Sequence, residues 1–233
     1  MQLVISLIDF IVLVLILSSI RERLVYELSA TSLLLFGSTK PGVILYSLLV
    51  LPGTIIHELS HWIVAEILGV ATGRIEILPD LDTVSDTRRL GSVAMQKSGP
   101  IRSFLIGIAP FISGLAILMV LGTLLADGWS SNRWWVNALI IYAIMVVGNS
   151  MMISKSDRRA WPFIIVFFSL IFLALSRQTL ISFVFLYAPV SIALQSLVFV
   201  LLVTAGVNLV MIGGSYLMRI ITQKLTGKKV IAK

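Results

Sequence analysis

At 233 residues, 58% of them hydrophobic and 12% charged, the chain is an integral membrane protein by composition, and its lack of cysteine excludes a disulfide framework and any thiolate metal site. The formal charge of +7 does not point to nucleic acid, because the basic residues lie between apolar runs rather than in one patch, as loops flanking membrane spans do. Any metal must be held by histidine and carboxylate.

The N-terminus, "MQLVISLIDFIVLVLILSSIRERL", has neither a basic n-region nor a small-x-small cleavage site, so it is expected to stay attached. Candidate spans follow at Leu3–Ile20, Val43–Val70, Ser103–Leu125, Trp134–Ile153 and Trp161–Leu175, and an apolar tract runs from Leu180 to Ile221. Pro189 is expected to divide that tract into a short lead-in and one full span. Leu24–Phe36 is apolar but short and carries Glu27; it crosses, dips in or lies at the surface. The predicted fold is an all-α polytopic transmembrane helix bundle of about six spans, seven if Leu24–Phe36 also crosses. It forms a single membrane domain over residues 1–233. If the spans alternate, thirteen of the 18 cations share one face, which is then cytoplasmic; they flank the second, fourth and last spans and include Arg74, Arg102, Lys155, Arg219 and Lys224.

Between the second and third spans, "GRIEILP" and "GSVAMQ" alternate in hydropathy on either side of "PDLDTVSDTRR", the pattern of a short β-hairpin. An edge strand there would either pair with an extended peptide or simply cap a site.

Within the second span, "TIIHELSHWIVAEIL" puts three ionisable side chains where they are expensive and usually mark function. His57 and His61, the only histidines, are four residues apart and project from one helix face, a spacing that lets two imidazoles bind one zinc ion. Glu58 beside them suits a carboxylate that takes a proton from a metal-activated water. Catalytic zinc wants a third protein ligand, but no third histidine exists and no glutamate follows Glu76. Glu66 points to the opposite side of its helix. Position leaves Asp157, just past the fourth span, and the loop aspartates Asp80, Asp82 and Asp86 as donors.

"HELSH" on an early span, followed by a later span ending "NSMMISKSD", resembles the site-2 protease family of intramembrane zinc metalloproteases, whose second motif has the form N-x-x-P-x-P-x-x-D-G. "SGPIRS" is similar to that family's G-P-x-x-N, with Gly99 and Pro100 matching. The resemblance covers about residues 43–160, a three-helix catalytic core. It implies that His57, His61 and Asp157 hold Zn2+, that Glu58 is the general base, and that Asn149 positions the substrate strand. The implied substrate is a transmembrane protein segment cut in or near the bilayer. Ser103, Met152, Ser154 and Arg158 depart from the motifs, which makes this a divergent member. With no room for an inserted filtering domain, substrate selection falls to short loops, the helices or a regulatory membrane partner. Two other classes use the same residues: a metal-ion transporter, with Asp9, Asn137, Asn149, Gln195 and Asn208 as further polar positions, and a non-catalytic scaffold retaining the metal site.

Overall fold

A computed structural model describes residues 2–76, 92–96, 98–128, 133–151, 166 and 180–228. Five helices and a two-stranded ladder follow in the order α1 (Gln2–Phe36), α2 (Lys40–Ile67), β1 (Thr72–Glu76), β2 (Ser92–Met95), α3 (Pro100–Gly128), α4 (Trp134–Ser150) and α5 (Leu180–Thr226). Three of them, α2, α3 and the Val190–Thr226 part of α5, are long and apolar enough to cross a membrane; α4 is apolar but has 17 residues. Large apolar side chains such as Leu45, Ile112, Val120, Leu202 and Val210 face outward, as lipid-facing residues do. The expected span Trp161–Leu175 lies outside the described residues, Val166 apart.

Local chemistry sets the helix ends. Gly37 adopts φ +71, a conformation costly for a residue with a Cβ, and its N–H bonds the Leu33 carbonyl at 3.0 Å to close α1. Pro41 then sits in the first turn of α2, where its missing N–H costs nothing. At the far end of α2, Gly69 at φ +66 reverses the chain, with Val70 N–H on the Ala65 carbonyl at 2.9 Å. The strands pair antiparallel with Thr72 opposite Met95 and Glu76 opposite Ser92, and the register shifts between Thr72 and Ile75. Their connection, including Asp80, Asp82 and Asp86, lies outside the described residues.

One expectation for the long apolar tracts is corrected. Leu3–Ile20 and Leu24–Phe36 are one continuous helix of 35 residues, because Arg21, Glu22 and Arg23 are good helix formers and nothing between the tracts breaks the hydrogen-bond ladder. In α5 the helix runs without a break from Leu180 through Pro189, and the part after the proline, Val190–Thr226, is the one long enough to span, as expected.

Contacts between the helices fix their directions. His61 meets Ile106 and Ser60 meets Ser113, so α3 runs antiparallel to α2. Tyr142 bonds the Leu49 carbonyl while Val146 and Ser150 approach Gly53, so α4 runs parallel to α2. Leu17 shares a core with Leu197 and Leu201, whereas Thr31 bonds the Ser215 carbonyl, so α5 runs parallel to α1. The C-terminus of α5, with Arg219, Lys224 and Lys228, therefore lies at the end of the bundle where α2 begins at Lys40. Successive helices α1 to α5 thus alternate in direction, and these cations lie at the opposite end of the bundle from Arg102 rather than beside it as expected. At the centre, Leu17, Leu118, Ile144, Met151, Val200 and Leu201 form the main core, joining α1, α3, α4 and α5.

Candidate metal centre

His57, Glu58 and His61 stand in the C-terminal half of α2, where the helical repeat brings the two imidazoles edge to face with ring centroids 4.8 Å apart. Glu58 and His61 are buried, at 6% and 4% exposure. His61 Nδ1 lies 2.8 Å from the Ile106 carbonyl oxygen of α3. A carbonyl only accepts, so Nδ1 donates to it, which in the neutral ring leaves the lone pair on Nε2, the arrangement in which a metal-binding histidine is oriented by a second partner. One residue earlier, the Ser60 and Ser113 hydroxyls pair at 2.7 Å, fixing α2 against α3.

The helix before the motif is shaped for close approach. A Cβ on Gly53 would fall 2.6 Å from the Val146 carbonyl oxygen and 2.5 Å from Ser150 Oγ, so only glycine lets the end of α4 lie one turn from His57. Met151, the last described residue there, is buried against Gly114 of α3. Asp157, six residues on, lies outside the described residues. Among the described residues no group of three or more histidine, aspartate or glutamate side chains converges. The described residues thus bring the two imidazoles side by side on α2 with Glu58 buried next to them in sequence; imidazole nitrogens suit zinc, and a complete site needs a further donor from outside the described residues.

Asn149 is buried and its side chain is fully engaged. Its amide nitrogen donates to the Met145 carbonyl at 2.8 Å and to Asn208 Oδ1 at 3.0 Å, while Asn208 Nδ2 donates back to Asn149 Oδ1 at 2.9 Å. Arg21 Nη1 reaches the Asn149 carbonyl at 3.3 Å. This reciprocal amide pair ties α4 to α5, and Asn208, which is fully buried, was not expected in that role. Asp9 and Gln195 are exposed. Glu66 accepts a hydrogen bond from Thr72 Oγ1 at 2.7 Å and so anchors the start of β1 to the end of α2.

Two features had readable signals that pattern alone does not rank. Pro110, inside an apolar run, stands four residues after Ile106, and Gly53 stands one turn before His57. No protein-family model, curated protein or solved structure matches the chain.

Proposed function

We propose that this chain is an intramembrane zinc metalloprotease that hydrolyses a peptide bond in or near a transmembrane segment of a protein substrate. The observation that carries the reading is the His57–Glu58–His61 motif on α2, with Glu58 and His61 buried and His61 oriented through Nδ1. His57, His61 and Asp157 would hold zinc. When bound, zinc supplies Lewis-acid polarisation to a peptide carbonyl and to water. Glu58 accepts the proton of the attacking water and passes it to the leaving amine nitrogen. The β1–β2 ladder offers an edge for an unwound substrate strand, and the Asn149 amide is the group that would position it once exchanged from Asn208. The finer architecture belongs to the same proposal: α1 to α5 crossing in alternation, five spans where about six were expected, with β1 and β2 as the two arms of a hairpin.

Against a metal-ion pathway, Asn149 and Asn208 satisfy one another instead of lining a route, and Asp9 and Gln195 face outward. The full engagement of Asn149 favours one rival, a non-catalytic scaffold that retains the site. Glu58→Gln separates them. In detergent-purified protein the variant should keep about one zinc per chain and lose cleavage of a membrane substrate, whereas Asp157→Ala should lose the metal. Persistent cleavage by Glu58→Gln removes the assignment of the base; undiminished cellular function without cleavage supports the scaffold.

A further inference from the structure

We infer that Pro110 is a positioning residue that sets the ring tautomer of His61 by leaving the Ile106 carbonyl without a donor from its own helix. In an α-helix the carbonyl of residue i accepts the N–H of residue i+4. For Ile106 that residue is Pro110, which has no N–H and lies inside α3. Ile106 is 2% exposed, so its carbonyl cannot turn to solvent or lipid headgroups for a substitute. The His61 ring supplies one at 2.8 Å.

The bond serves both partners. A buried acceptor is satisfied, and an imidazole that in water prefers its proton on Nε2 is held with that proton on Nδ1. The Ser60–Ser113 pair, on the same two helices, holds the distance between ring and carbonyl. A proline that looks like a helix defect in an apolar span is therefore the source of an acceptor aimed at a metal-site histidine. Freed carbonyls in membrane helices are tolerated where a neighbouring helix satisfies them, and here the neighbour is His61 itself.

The consequence for zinc rests on the protease reading; the tautomer does not. Because the chain has two histidines, metal-stripped full-length protein labelled with 15N-histidine gives two ring systems, which His57→Gln assigns. At alkaline pH, long-range 1H–15N correlation should show wild-type His61 with the proton on Nδ1. In Pro110→Ala, the new N–H at position 110 takes the Ile106 carbonyl, and His61 shifts toward the Nε2–H form. Zinc affinity, read by chelator competition, should fall about 10-fold or more, while the thermal midpoint should not fall, since an interior proline has been removed.

An Nε2–H ring in wild-type His61 overturns the inference, even if the variant fails to fold. So does a Pro110→Ala protein with unchanged tautomer and zinc affinity. A wild type that binds no zinc yet keeps Nδ1–H on His61, shifted by the variant, sinks the protease reading and leaves the positioning role standing.

Discussion

Two regions of this molecule bury ionisable side chains, and they do so on opposite principles. Between α1 and α5, Glu27 has no exposed surface and meets Arg219 Nε at 2.7 Å and Arg23 Nη2 at 2.7 Å. Thr31 bonds the Glu27 carbonyl and the Ser215 carbonyl beside it. Between α2 and α3, the His61 ring is oriented by a backbone carbonyl, that of Ile106. The first set pairs fixed charges that gain nothing by changing partners, and it works as a clamp. The second holds a donor atom in one orientation, as a ligand site requires. Burial alone does not mark function; the chemical nature of the partner does.

The largest contrast concerns the two ends of the bundle that these regions approach. The chain has no cysteine, so Gly99→Cys, at the start of α3, and Lys228→Cys, just past α5, each provide one label site. In intact cells or oriented vesicles, an impermeant thiol reagent should label one and not the other. Equal labelling would put the C-terminus of α5 on the same face as Arg102, as the sequence alone predicts, and break the parallel packing of α1 on α5.

Next in size is the clamp. Glu27→Ala leaves the largely buried Arg219 without its carboxylate and should cost about 3–5 kcal/mol of stability, measured by denaturation in detergent, with zinc content of the folded fraction unchanged. The Arg23 contribution is small because that side chain is half exposed. A variant that keeps its stability but loses metal would erase the distinction between the two regions.

The smallest effect sharpens the comparison at the Asn149–Asn208 pair, which joins α4 to α5. Replacing either asparagine by alanine leaves an amide unsatisfied and should cost about 1–3 kcal/mol, whereas Asn149→Leu with Asn208→Leu should recover most of that loss. A stable double variant that no longer cleaves would assign Asn149 its substrate role. One that still cleaves would confine the pair to packing.

The sequence made the H-E-x-x-H motif legible because His57, Glu58 and His61 obey a local rule, the 3.6-residue repeat of one helix. It made α2, α3 and α4 legible within a few residues, because apolar runs of that length bounded by Gly, Pro and Trp have few other uses. It failed at Arg21–Arg23, where a break in hydropathy is no break in the helix because these residues are good helix formers.

What the chain determined by itself was its membrane class, its helical content and the placing of two imidazoles on one face, all properties of residues a few positions apart. Only the tertiary structure decided that α5 runs beside α1 in the same direction, that Asn149 closes on Asn208, and that His61 takes the carbonyl left by Pro110. Those contacts join residues 45 to 192 positions apart in sequence. Their partners are chosen by which buried donors and acceptors remain unsatisfied once the helices pack, and no local pattern carries that information.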